Sequence, residues 1–434
     1  MRLVREVTSW RSGVSDPADF PYSAVLAEFQ LVGKHFVKKE LLALLDEIRS
    51  HVAAPSGRAA TPGGTDPARL LRDFLDVALD KWNGHYDYRS YLALRLLRLP
   101  CAADGPVTDP TADPAGARRD SDRLFLRLVA DALAFELAAG AGATDLLPEQ
   151  RPGPETVAKR YRLGVRAAAP ALSRLAPGRA VDDREPAVAA ATLHTLTTAD
   201  LAGDEERELR LSMLPVYVTH DEYLFIRVLQ AYECVFAGLA DELRGTVAAL
   251  SAGHASTAAG RLAYAREQLT AAGPLFSLLA TMQPESFRTF REYTEGASAI
   301  QSRSYKLMES LCRTPDGARL DSAAYRSVPE VRDRLLAGQP SVDAAYRAAV
   351  RADRLAGADR ARVEQEMREF SAAVLQWRRT HHRLATRMLG SRPGTGYTQR
   401  RRRDRPVGPP LPGPLLRHPL TPAAPPTNTG GCPE

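Results

Sequence analysis

A histidine interrupts an apolar helical stripe near the C-terminal end of the sequence. Across segment 359–389, Val363, Met367, Phe370, Val374, Trp377, His381, Leu384 and Met388 recur at steps of four and three, so His381 faces the same way as its apolar neighbours. Its neighbour His382 points sideways among Arg378, Arg379 and Arg383. A neutral imidazole in a dry helical cleft is what a five-coordinate haem iron needs as its proximal ligand. The plainer reading is a hydrogen-bonded core histidine with no ligand.

Two further features carry chemistry. Pro284 suits the first turn of a helix over 284–293, where Phe287 and Arg291, four apart, share a face. A guanidinium there is either a solvated charge or a fork for a carboxylate. Downstream, Gly394 and Gly396 in SRPGTGYT leave the hydroxyl and amide of Thr395 accessible, or form a turn with no ligand at all.

The elements that would position these residues are helical. Periodicity and Pro, Gly and Asp breaks predict helices over 23–51, 67–82, 120–139, 155–175, 221–244, 258–270, 284–293 and 359–389. Few stretches alternate with period two, so the fold class is all-α. In YVTHDEYLFIRVLQAYECVF, Thr219 and Glu222 have the spacing of a capping box, and Asp221 adds charge to the first turn. Leu224, Phe225, Val228, Leu229, Tyr232, Val235, Phe236 and Leu239 then form one apolar face.

The chain has 434 residues, 44% hydrophobic and 25% charged, the balance of a globular protein. No apolar run reaches the roughly 20 residues a membrane span needs, and MRLVREVTSWRSGV has no secretory apolar region; a cytoplasmic protein off the membrane is expected. Of the net charge of +6, the segment 391–434 supplies +5 through seven arginines against Asp404 and Glu434. The body is therefore almost neutral, and no nucleic-acid partner is expected. Cys101, Cys234, Cys312 and Cys432 lie far apart without a CxxC pair, which excludes a disulfide framework or zinc cluster by spacing. Ten prolines from Pro406 onward make 399–434 a disordered or polyproline-like tail, with arginines 400–403 as a rival nucleic-acid contact.

Four blocks, in order and totalling about 80 residues, resemble the tryptophan 2,3-dioxygenases, within the wider group of histidine-ligated, haem-dependent aromatic oxygenases. They are YDYRSYLALRLL (86–97), HDEYLFIRVLQAYECVF (220–236), LLATMQPESFRTFREYTEGASAIQSRSYKLME (278–309) and WRRTHHRLATRMLGSRPGTG (377–396). The resemblance implies a helical haem-binding bundle with haem b on His381 as iron ligand and Trp377 lining the same face. It implies Arg291 on the substrate carboxylate, Thr395 on the ammonium, and Phe225, Phe287 and Ser298 around the ring. Tyr88 and Tyr91 would reach a neighbouring subunit's pocket within a homotetramer. The implied reaction adds both atoms of O2 across the indole C2–C3 bond of tryptophan, giving N-formylkynurenine.

Along the chain, these expectations divide the sequence into an N-terminal helical extension (1–66), a first core part with the Tyr-x-x-Tyr motif (67–100), a helical insertion (101–214) placed to cap the entrance, a haem and substrate core (215–398) and the tail (399–434). The sequence departs from the family pattern at Leu229, where the family has a distal histidine, and at Ala299-Ile300 in place of Gly-Phe. The insertion and the tail are departures as well. Without the distal acceptor a substituted tryptophan becomes a credible substrate. A haem monooxygenase hydroxylating an aromatic amino acid or indole is the nearest alternative, and a non-catalytic haem-binding or helical interaction protein the next.

Overall fold

A computed structural model describes residues 2–12, 16–52, 66–100, 113–182, 184–199, 201, 203–294 and 297–390. Among them there is no strand, only one isolated bridge between Glu149 and Thr219, so the all-α expectation holds. In chain order the helices are α1 (Arg2–Ser12), α2 (Tyr22–Val32), α3 (Lys39–His51), α4 (Pro67–Ala78), α5 (Tyr88–Tyr91), α6 (Ala115–Gly140), α7 (Pro154–Leu175), α8 (Pro186–Thr198), α9 (Gly203–Leu211), α10 (His220–Ala252), α11 (Ala255–Ala271), α12 (Pro274–Leu279), α13 (Pro284–Tyr293) and α14 (Arg303–Cys312). Three short helices (Gly317–Leu320, Ala323–Arg326 and Pro329–Leu336) are α15 to α17, followed by α18 (Val342–Arg351) and α19 (Gly357–Leu389).

α10 is the axis of the fold. Its apolar residues go almost all the way round, and α6, α11, α14 and α18 pack against it, the pattern of a helix buried inside a large core. By length and composition it alone among the described helices is apolar enough to cross a membrane. However, 83% of that apolar stretch is buried inside the protein, which is what a core helix looks like. Residues 2–79 build a second apolar cluster around Phe29, Leu45, Leu71 and Phe74, which reaches Leu211 and Leu214.

Local details depart from expectation for identifiable reasons. The single helix expected over 23–51 breaks at Gly33, whose φ of +80° favours glycine. A Cβ there would lie 2.7 Å from the Val216 carbonyl oxygen, and the next amide, Lys34 N, donates to Pro215 O at 2.8 Å. Thr219 does cap α10, but its side chain makes no capping bond. The Glu222 carboxylate turns away to accept from the Val216 and Tyr217 amides at 2.7 and 3.1 Å. Within the described part of the insertion, α6, α7 and α8 pack on one another and, through α6, on α10, adding a layer to the core.

Two buried ion networks fasten the elements together. Arg160 of α7 donates to Glu136 of α6 and to Asp221 of α10, both at 2.5 Å, and to Thr281 Oγ1 at 3.0 Å. Asp221 in turn accepts from Gln283 N at 2.7 Å, fixing the start of α13. On the other side, Glu309 of α14 receives Lys306, Arg319, Arg378 and the Tyr325 hydroxyl at 3.1–3.2 Å, tying α14 to α19.

Candidate functional site

Where α19 leaves α11 its apolar stripe ceases to be buried: Val363, Met367 and Phe370 are fully covered, whereas Val374, Trp377, His381 and Leu384 are half-buried. The cause is a cavity of about 980 Å³ between α19, α10, α13 and the α5 turn. It brings together His381, Trp377, Arg291, Phe225, Phe287, Leu229, Ser298, Tyr88 and Tyr91, residues scattered over nearly 300 positions of sequence. Thr395 lies outside the described residues, as do the tail, Cys101 and Cys432. No described residue of 113–214 lines this cavity.

One wall is an aromatic trio. Phe225 on α10 meets Phe287 and Phe290 on α13 at ring distances of 5.6 and 5.2 Å, and those two are 5.5 Å apart. Tyr91 closes the row 6.5 Å from Phe225. Three rings in edge and tilted contact make an apolar aromatic slot against which another ring can pack. At its edge stands Arg291, half-buried, its guanidinium 5.8 Å from the Phe287 ring centre. Burial pulls its pKa down, and among the described residues no carboxylate pairs with it. A cation on an apolar wall without a counter-ion is a seat for an anionic ligand group.

His381, stacked on Trp377, lines the same cavity. Trp377 is itself wedged by Phe236, Phe276 and Tyr305 at 5.1, 5.4 and 5.4 Å. Burial, and then the neighbouring charges of His382 and Arg378, push the His381 pKa down to about 4. The imidazole is therefore neutral near pH 7 and has no hydrogen-bond partner among the described residues. The plainer sequence reading requires such a partner, and the described residues do not supply one.

Tyr88 and Tyr91 are buried and line the same cavity. The Tyr91 hydroxyl donates to Glu222 at 3.3 Å. Tyr88 N donates to Gln301 Oε1 at 3.1 Å, and the same oxygen accepts from Ser298 N at 3.1 Å. Gln230 Nε2 donates to Leu92 O at 2.8 Å, holding the turn against α10. Glu222, Gln230, Glu233 and Gln301 were not singled out from sequence as site-forming; polar residues inside an apolar helical face are the signal that marks the first three.

Cys234 and Cys312 are free thiols. Burial pushes both up to about 12, so neither is a nucleophile at neutral pH. Among the described residues no cluster of three or more His, Cys, Asp or Glu could hold a metal ion.

Residues 210–335 match the sequence profile of the tryptophan 2,3-dioxygenases. The chain is 30% identical over 207 residues to tryptophan 2,3-dioxygenase of Nocardioides sp. (strain ATCC BAA-499 / JS614), covering 41% of this chain and 76% of that protein. It is 29% identical over 222 residues to the enzyme of Anaeromyxobacter dehalogenans (strain 2CP-C), covering 44% and 82%. With that of Pseudomonas aeruginosa PAO1 the identity is 25% over 222 residues, covering 43% and 77%. No solved structure matches. The aromatic slot, the unpaired arginine and these relatives agree, and the chain belongs to the tryptophan 2,3-dioxygenase family of oxidoreductases.

Proposed function

We propose that this chain is a haem-dependent dioxygenase that inserts O2 into the ring of L-tryptophan or a substituted tryptophan, giving an N-formylkynurenine-type product. The observation that carries the reading is that one aromatic cavity is lined both by a neutral imidazole at His381 and by a guanidinium at Arg291, neither with a partner among the described residues. The residues present fit a haem: His381 offers a free neutral nitrogen, Trp377 fixes its ring, and the cavity is of the size and apolar character that cofactor sites have. When bound, haem would supply the oxygen activation.

The protein's share is positioning. Arg291 would take the substrate carboxylate in a bidentate, charge-assisted contact, Thr395 its ammonium, and Phe225, Phe287 and Ser298 would hold the ring. Orientation of this kind contributes up to about 7–11 kcal/mol to a reaction between two bound partners. A homotetramer is part of this reading, with Tyr88 and Tyr91, which line the cavity, at the shared site.

A second reading, monooxygenation of an aromatic amino acid or indole, is favoured by one observation. Leu229 lines the slot beside Phe225 and offers the indole N–H no acceptor, a loss of about 0.5–1.5 kcal/mol of preference for an N–H ring. The same gap makes room for N-substituted tryptophan. Mass analysis of products from tryptophan, 1-methyltryptophan and tyrosine decides: dioxygenation adds two oxygen atoms and hydroxylation one. Single-oxygen products from every substrate would overturn the dioxygenase reading.

A further inference from the structure

Glu222 is fully buried on α10, one turn before Phe225. Lys34, the cation that faces it from the turn after α2, is spent on Asp80 Oδ2 at 2.9 Å and Val77 O at 2.8 Å. A carboxyl buried without its own counter-ion holds on to its proton, and burial pushes the Glu222 pKa up to about 8. Its hydrogen-bond partners are the Val216 and Tyr217 amides at 2.7 and 3.1 Å and the Tyr91 hydroxyl at 3.3 Å. Two of these three are N–H groups, which accept nothing, so the proton of neutral Glu222 goes to the third, the Tyr91 oxygen. Tyr91 donates to Glu222 when the carboxyl is ionised; when it is neutral the same contact runs the other way and the phenolic hydrogen is released. Tyr91 lines the cavity and stands close enough to Arg291 to act on its charge. Besides Arg291 and Lys34, the titratable groups facing the pair are Tyr86 and Tyr88. A guanidinium has donors only, so the released hydrogen finds its acceptor in an anionic ligand group seated on Arg291.

We propose that Glu222 is a positioning residue of the site: as the neutral acid it donates to the Tyr91 oxygen, and so turns the Tyr91 hydroxyl toward the ligand as a second donor to the carboxylate that Arg291 holds. This rests on the amino-acid reading of the cavity and deepens it. Ionisation of Glu222 reverses the contact, draws the phenolic hydrogen back and leaves Arg291 to grip the carboxylate alone. The grip is therefore complete below about pH 8 and weakens above it.

The test is calorimetric titration of the haem-loaded full chain with L-tryptophan at about pH 6.5 and about pH 9, either side of the Glu222 value of about 8, for wild type, Tyr91→Phe, Glu222→Gln and Arg291→Ala. The ammonium of tryptophan titrates in the same range for every variant, so it cancels in the ratio of wild-type to Tyr91→Phe affinity. That ratio is about tenfold at the lower pH, the worth of one hydrogen bond to a charged group, and falls to within about twofold at the higher. Glu222→Gln, whose NH2 donates to Tyr91 at every pH, keeps the tenfold ratio at both. Arg291→Ala weakens tryptophan at both. A ratio near unity at the lower pH, one that does not fall at the higher, or a folded Glu222→Gln that falls in step with wild type overturns the proposal, while Arg291→Ala still reports the amino-acid site. Should Glu222→Gln not fold, wild type against Tyr91→Phe decides. Failure of wild type to bind tryptophan, or of Arg291→Ala to weaken it, overturns the amino-acid reading and the proposal with it.

Discussion

Trp377 and His381 lie one turn apart on α19 with their rings 5.3 Å apart and only 7° from parallel. Trp377 is gripped by aromatic rings from α10, α12 and α14, so packing, rather than a hydrogen bond, sets the plane of the imidazole. His381 is consequently presented to the cavity in one orientation with its nitrogens available.

Arg291 is the substrate clamp in this account. Arg291→Ala removes a charge-assisted contact of about 1.5–3 kcal/mol, which predicts a rise in the Michaelis constant for the amino acid of roughly 10- to 100-fold. Haem content is expected to stay unchanged, because Arg291 is assigned to the substrate carboxylate and His381 to the haem. Unaltered kinetics would remove Arg291 from the site.

Acid stability follows from Glu309. Against the cost of its burial, Lys306, Arg319 and Arg378 hold its pKa at about 2. A carboxyl depressed in the folded state stabilises above its ordinary pKa of 4.5 and loses that contribution as pH falls through about 2. Chemical denaturation between pH 5 and pH 2.5 should therefore show a loss of stability that is smaller in Glu309→Gln. The variant is also less stable at neutral pH, since it leaves three buried cations without their anion. Parallel pH profiles for the two proteins would contradict this.

Arg160 supports the site from a distance. It is fully buried between Glu136 and Asp221, and Asp221 holds the first amide of the α13 approach. Arg160→Ala strands two buried carboxylates, so a loss of about 3–5 kcal/mol is expected in urea denaturation. A loss below about 1 kcal/mol would mean that the insertion helices α6 and α7 are not tied to the core through this residue.

The α19 stripe was legible because its steps of four and three put eight residues on one side of a single helix, His381 included. Phe287 and Arg291 were legible for the same reason, since their spacing places them together whatever surrounds them. What periodicity does not carry is which empty space a face borders. Nothing in the sequence distinguishes Trp377, facing a cavity, from Phe370, two turns earlier and sealed against α11. Long-range pairings were equally hidden. Thr219 and Glu222 have the spacing of a capping box, yet Glu222 finds better donors in the Val216 and Tyr217 amides, fixed by the approach of Gly33.

The central claim is that His381 carries a haem. It is tested by the absorbance spectrum of the chain purified after expression with a haem precursor, ferric and then reduced under CO, beside His381→Ala. A Soret band of one haem per chain that collapses in the variant, while far-ultraviolet circular dichroism shows the helices intact, is the result predicted. A folded wild type that binds no haem, or a variant that keeps its full Soret band, would contradict it.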